Sequence, residues 1–238
     1  MIAAHALKTI PELLIDWPVQ LEQRYSPVSV ISRGGFGVVV LAVERSTGRR
    51  VAVKLINREH GQDPVITLRF LAEARIVAGL SHPNVLRLLE YGVDGEQPFI
   101  VMPLVEGTSL REALRRGGPF PWRSAVELVC QIAAGLGAIH RAGVVHRDLK
   151  PENVMAYAGT ALIIDFGISK SGQTGVRTAA GVILGTPGYI APEAVREEPV
   201  TGGSDIYALG VTFFELLTGV RPLQRVDAED PTSTRTRM

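Results

Sequence analysis

The segment HRDLKPEN, residues 146–153, sets four formal charges and a histidine between the apolar pairs Val144-Val145 and Val154-Met155. Charged groups beside a core need partners or a task, because desolvating them uncompensated is expensive. Within the segment Asp148 and Asn153 stand five positions apart, and the chain then returns to a second carboxylate in Asp165-Phe166-Gly167. A carboxylate, an amide and a second carboxylate are too few for a full protein cage. They suit Mg²⁺, which keeps waters and completes its shell with phosphate oxygens. Upstream, ISRGGFGVVV carries glycines at 34, 35 and 37 between two β-type runs. Such a turn alone is more often an ordinary hairpin than a phosphate cradle. Its context adds weight: Lys54 is centred in the apolar strand VAVKL and Glu73 lies on the apolar stripe of a helix candidate. One ion pair would solve both burial problems. Singly, each motif also reads as a charged turn, a tight turn or a snorkelling side chain; in this order, together, they imply a metal with nucleotide phosphate.

The elements that must position these residues change texture along the chain. After a leader at 1–23, the stretch 24–103 is β-rich, with SPVSVIS, VVVLAVE, RRVAVKLI, VLRLLEYGV and FIVMPL separated by turn chemistry at Ser46-Thr47-Gly48 and Asp94-Gly95. One helix interrupts it, opening at Asp63-Pro64 and closing before His82-Pro83, with Ile66, Phe70, Val77 and Leu80 at helical spacing. From 104 to 222 the pattern is mainly helical: PWRSAVELVCQIAAGLGAIHRAG ends at Gly143, VMAY and ALIID form a hairpin, 168–188 is loop by composition, and SDIYALGVTFFELLTG is apolar almost all round, as a helix buried in a lobe would be. Residues 223–238 are polar and read as disordered. With 46% hydrophobic and 21% charged residues and a formal charge of +1, the 238-residue chain carries no field that would recruit nucleic acid. The single cysteine, Cys130, in an apolar run, reads as a buried small hydrophobe and excludes an intramolecular disulfide. MIAAHALKTIPELLIDW is too polar for a secretory signal and no uncharged run reaches membrane length, so a cytoplasmic setting is expected.

GGFGVVV, VAVK, Glu73, HRDLKPEN, DFG and APE (191–193) closely resemble, in order and spacing, the signature set of the protein kinases. The resemblance runs from about Tyr25 to Pro222. It implies an α+β, bilobal kinase-like fold: a small β-rich N-lobe with one helix and a mainly helical C-lobe. Lys150 resembles the serine/threonine branch, and the Ala, Val, Arg and Gly-rich composition a bacterial member. The implied substrates are ATP with Mg²⁺ and protein hydroxyls, with autophosphorylation. By the same resemblance Ser32, Arg33, Gly34, Gly35, Phe36 and Gly37 form the loop over the ATP phosphates; Lys54, oriented by Glu73, holds them; Asp148 accepts the hydroxyl proton with Lys150 near the γ-phosphate; Asn153 and Asp165 bind Mg²⁺. Val39, Ala52 and Met155 would enclose the base, with Met102 at the gatekeeper position and Leu104 in the hinge spanning Pro103 to Val105. Val77, Leu88, Phe166 and His146 would stack as a spine secured by Asp205. Arg147 beside Asp148 resembles kinases switched on by phosphorylation, with Thr178 the first candidate site and Thr174 the second, unless both are merely loop threonines. Thr186 would touch Asp148 and Lys150.

Two features depart from the family pattern. Ser32 stands where the first glycine of GxGxxG is usual. After Gly219 the chain has only VRPLQRVDAEDPTSTRTRM, where the family continues with further helices that bring an arginine to the APE glutamate. Glu193 is therefore expected to lack its partner, and the helix at 204–219 to show one apolar side to water. A C-lobe lacking its last helices would be marginally stable, pair as a homodimer through that face, or belong to a shortened gene product. The rival to an active kinase is a catalytically impaired kinase-like ATP-binding or interaction module.

Overall fold

The computed structural model describes residues 15, 17–35, 37–57, 62–157, 159–165 and 186–222. These fall into two compact units, the first drawn from Met1–Ser81 and Leu86–Val105, the second from His82–Val85 and Glu106–Met238.

The first unit runs α1 (Val19–Arg24), β1 (Tyr25–Gly34), β2 (Gly37–Glu44), β3 (Arg50–Ile56), α2 (Pro64–Ala78), β4 (Glu90–Asp94) and β5 (Gln97–Pro103). Its strands make one antiparallel sheet in the order β1-β2-β3-β5-β4. Strand alternation sends Ala42, Val51, Val53, Leu55, Phe99 and Val101 into a core shared with Leu21 of α1 and with Tyr25, against which Ile15 and Trp17 also pack. Part of the stretch read as a leader is thus core material, and Leu21 alone, 2% exposed, contributes about 1.5–3 kcal/mol by burial. Helix α2 starts as its sequence dictates. The Asp63 carboxylate accepts from the Val65 and Ile66 N–H groups at 2.8 and 3.4 Å, and Pro64 occupies the first turn. Its buried side chains are Phe70, Ala74 and Val77. The run VLRLLEYGV becomes a strand only from Glu90. Its first residue, Val85, is drawn instead into the second unit by a bridge to Ile163.

The second unit contains β6 (Thr108–Ser109), α3 (Leu110–Gly117), α4 (Trp122–Arg141), a 3₁₀ turn (Pro151–Asn153), the hairpin β7 (Val154–Tyr157) and β8 (Thr160–Ile163), α5 (Pro192–Val195) and α6 (Gly202–Thr218). β6, β7 and β8 form a small antiparallel sheet. Helix α3 is not anticipated above, although Ser109-Leu110-Arg111-Glu112 has the capping-box pattern and the Ser109 hydroxyl accepts from the Glu112 N–H at 3.1 Å. Helix α4 buries Ala125, Ile132, Gly135, Leu136 and Ile139. At Gly135 a Cβ would stand 3.0 Å from both the Asn84 carbonyl and Ile163 Cδ1, so glycine lets helix and hairpin approach. Cys130 falls on the opposite face and is exposed, contrary to the buried hydrophobe expected from its apolar run. Helix α6 buries Ala208, Leu209, Val211, Thr212 and Leu216 while Ile206 and Phe214 remain exposed, so one of its sides does face water. The short insert His82–Val85 is anchored by Asn84, whose amide donates to the Ala161 carbonyl (2.9 Å) and Gln131 Oε1 (3.2 Å) and whose carbonyl accepts from the Ile163 N–H (2.9 Å). Among the described residues no helix is long and apolar enough to cross a membrane.

Candidate active site

In the first unit the site residues are sorted by strand parity. Val39 pairs with Lys54, Leu41 with Ala52, and Ala52 with Met102. Directly opposed residues of antiparallel strands project to the same face, so Val39, Ala52, Lys54 and Met102 share one side of the sheet. The hydrophobic core occupies the other. Lys54 is only 8% exposed, and Glu73 lies half-buried on α2. Ser32, Arg33 and Gly34 end β1, with a register shift between Val30 and Ser32, and Gly34 pairs with Gly37 across the turn. The Asn57 side chain donates to the Gly35 carbonyl at 2.8 Å. Gly37 has φ +151, and a Cβ there would lie 2.0 Å from the Leu55 carbonyl oxygen, a space that excludes any side chain. Leu104 follows β5. Phe36 lies outside the described residues.

The second unit holds the HRDLKPEN loop. Asp205 on α6 is 1% exposed, and its two carboxylate oxygens accept from the backbone N–H groups of His146 (2.8 Å) and Arg147 (2.8 Å). His140 Nε2 lies 2.7 Å from the same carboxylate. Arg147 has φ 63, a left-handed conformation that costs a non-glycine residue about 1–2 kcal/mol and that the Asp205 clamp retains. The bond from the His146 N–H ties Asp205 to one of the four residues expected to stack as a spine.

Downstream of the clamp, Asn153 turns its amide nitrogen inward, donating to the Asp148 carbonyl (2.8 Å) and to Asp148 Oδ2 (3.1 Å). Oδ1 of Asn153 is therefore the atom directed elsewhere, and an acceptor oxygen is what a hard cation needs. The Ile164 N–H donates to the Asn153 carbonyl at 3.0 Å, which brings Asp165, the next residue, to the same end of the loop. Lys150 Nζ reaches Asp148 Oδ2 (3.1 Å) and the Thr186 hydroxyl (2.7 Å). Of the two contacts expected for Thr186, this is the one observed directly. Met155 lies on β7 opposite Leu162, beside Asn153. Among the described residues no group of three His, Cys, Asp or Glu side chains is arranged to hold a metal by itself.

Glu193 is not without a partner: the Ser204 hydroxyl donates to its Oε1 at 2.6 Å and holds its carboxyl below the usual range. Where the family pattern would bring an arginine, the contact supplied by the fold is this serine, which also accepts from the Thr201 N–H at the start of α6 (3.3 Å).

One cluster escaped sequence reasoning. Arg111 on α3 donates through Nε to Glu152 Oε1 (2.8 Å), through Nη1 and Nη2 to the two oxygens of Glu215 on α6 (2.7 and 3.1 Å), and through Nη2 to the Tyr189 hydroxyl (2.6 Å). Tyr189 in turn donates to Glu215. Burial, then the bond to Glu215, pushes the Tyr189 phenol well above its ordinary range. The signals were Glu152, the one charge in HRDLKPEN given no role, and a glutamate in an otherwise apolar helix. Phe166, Thr174 and Thr178 lie outside the described residues.

The protein kinase domain family matches residues 25–238. The serine/threonine-protein kinase PknL of Mycobacterium tuberculosis is 38% identical over 222 residues, covering 89% of this chain and 56% of PknL. PknA of the same organism is 40% identical over 210 residues, covering 86% of this chain and 49% of PknA. The chain thus spans about half the length of these curated relatives. Among solved structures, Rad53 1-466 in complex with AMP-PNP matches with a TM-score of 0.73 at 28% identity, over 87% of this chain and 52% of that one. The Mycobacterium tuberculosis PknI kinase domain matches with a TM-score of 0.69 at 28% identity, over 85% and 77%. Sheet, loop and helices with this order of motifs, matched by one family over nearly the whole sequence, place the chain in the protein kinase family.

Proposed function

We propose that the chain is an ATP-dependent serine/threonine protein kinase that transfers the γ-phosphate to protein hydroxyls, its own included. The observation that carries this reading is the organisation of residues 146–153, where Asp205, Asn153 and Thr186 each bind a different part of one loop around Asp148. Asp148 orients the attacking hydroxyl and accepts its proton, and its orientation is set by the Asn153 amide and the Lys150 ammonium. Lys150, bound also to Thr186, places positive charge where the transferred group gains negative charge. Asn153 through Oδ1 and Asp165 through its carboxylate would hold Mg²⁺, which when bound neutralises phosphate charge. In the first unit, Lys54, with Glu73, would bind phosphates, the loop at 32–37 would cover them, and Val39, Ala52, Met102 and Leu104 would line the base. The curated relatives named as serine/threonine-protein kinases, and the AMP-PNP complex of a structural relative, support the choice of hydroxyl acceptors and of an adenine nucleotide.

The test is transfer of labelled phosphate from ATP to the protein itself and to a generic basic protein. Asp148→Asn serves as the reference. Incorporation no higher than in that variant, with ATP still bound, refutes the kinase reading and leaves a binding module. Mass spectrometry of active protein tests Thr178 and Thr174 as phosphosites, and phosphate on neither excludes both. A cytoplasmic setting and pairing of two copies through Ile206 and Phe214 belong to the same reading. Sedimentation of the wild type against Phe214→Asp tests the pairing, and an unchanged monomer refutes it.

A further inference from the structure

The turn between β1 and β2, assigned above to the phosphates, is poorly held by packing. Gly34 and Gly35 are exposed, and a Cβ on either would meet nothing within 4 Å. Glycine also leaves the backbone more freedom than any other residue, so a turn built of it loses more on being ordered. The end of β3 supplies what the turn lacks. Gly37 starts β2, pairing with Gly34 on one side and on the other with Ile56, the last residue of β3. The Ile56 carbonyl accepts from the side-chain amide of Gln97 on β5, and Gln97 is 8% exposed, so this end of the strand is pinned from within the sheet. From that fixed point Asn57, the next residue, donates its side-chain amide to the Gly35 carbonyl at 2.8 Å. A peptide plane held at its carbonyl is held as a whole. Strand alternation gives Asn57 the parity of Val53 and Leu55 rather than that of Lys54, so the bond is made from the face opposite the lysine and leaves the lysine's own face open.

We propose that Asn57 is a positioning residue for the nucleotide: it holds the glycine turn in the place the turn takes over bound phosphates, so that less order has to be imposed when ATP arrives. This rests on the kinase reading for what lies under the turn. Glycine lets the backbone come close to a phosphate, and an amide from the neighbouring strand supplies the order that glycine lacks.

The experiment measures Kd for ATP and for adenosine on the full chain, by displacement of a fluorescent ATP analogue. Both partners of the bond are exposed, so variants at Asn57 lose no core contact. Asn57→Ala is expected to raise the Kd for ATP about three- to tenfold, the worth of one hydrogen bond, and to leave the Kd for adenosine, which has no phosphate to cover, within about twofold. Asn57→Leu, close to asparagine in shape but without the donor, is expected to match it. An ATP Kd that rises less than about threefold in Asn57→Ala, or falls, overturns the proposal, and so does an Asn57→Leu variant that binds ATP as the wild type does. An equal loss for adenosine also overturns it, because a general disturbance of the sheet would weaken both ligands alike. A wild type that binds ATP but transfers no phosphate refutes the kinase reading alone, and the Kd comparison still decides the role of Asn57. A wild type that binds no ATP overturns both.

Discussion

Replacing Asp205 by asparagine changes one atom of a buried side chain and is expected to destabilise the protein by about 2–4 kcal/mol. Both carboxylate oxygens accept a backbone N–H, one from His146 and one from Arg147, each at 2.8 Å. Whichever way an asparagine amide turns, its NH₂ faces one of those N–H groups, donor against donor. One charge-assisted bond, worth about 1.5–3 kcal/mol, is lost, the surviving one weakens to the neutral value of about 1 kcal/mol, and a buried N–H is left unsatisfied. Some of this returns if Arg147 leaves its left-handed conformation at φ 63, which releases about 1–2 kcal/mol. That release moves the loop carrying Asp148, so kcat should also fall, by at least about tenfold under conditions where the variant remains folded. Urea unfolding followed by circular dichroism, with the slope held equal between the two proteins, measures the first quantity, and labelled transfer the second. A variant within about 0.5 kcal/mol of wild type, or one destabilised as expected but fully active, would refute the assignment of Asp205 as the clamp of this loop.

Gly37→Ala puts a Cβ against the Leu55 carbonyl oxygen in the unfavourable φ +151 region and should lower Tm by about 5–10 °C, corresponding to about 2–3 kcal/mol, whereas Gly34→Ala, with nothing within 4 Å, should leave it within about 1 °C. Ser204→Ala removes the hydroxyl that joins Glu193 to the start of α6 and should cost about 1–2 kcal/mol in urea unfolding, while Ser204→Thr retains most of it. Burial, then the bond to Glu90, pushes the Tyr25 phenol up to about 12 from its ordinary 10.0. Above pH 10 the unfolded chain gives up this proton first, so the stability that Tyr25 contributes is present in full below pH 10 and is lost as pH rises towards 12. Tyr25→Phe should flatten the measured decline across that window.

Much of the site was legible because its residues conflict with their own surroundings. Lys54 in an apolar strand, Glu73 on an apolar stripe and charges between two valine pairs each demanded a partner, and their order along the chain pointed to one family. Helix α2 was equally readable, since Asp63 and Pro64 carry its start in two adjacent residues. What stayed hidden depended on distant partners. Glu193 meets Ser204 and Arg111 meets Glu215 across 11 and 104 positions of sequence, and no local pattern announces either contact. Cys130 misled for a related reason: an apolar neighbourhood in sequence does not say which side of α4 faces the core. Helix α3 was missed although its capping residues were visible, because five of its eight residues are charged or glycine and only Leu110 and Leu114 mark its buried side, too short a run to stand out.

The insert His82–Val85 sets an order of events during synthesis. Every residue of the first unit has been made once Val105 is added, yet Asn84 belongs to the second and takes its hydrogen-bond partners from Gln131, Ala161 and Ile163. The Ala161 partner lies 77 positions further on, which at ribosomal speed is a delay of about 4–15 s. A stretch held inside the early unit must therefore remain uncommitted until the late one exists, and neither unit can be cut from the chain as one continuous piece without taking or losing those four residues.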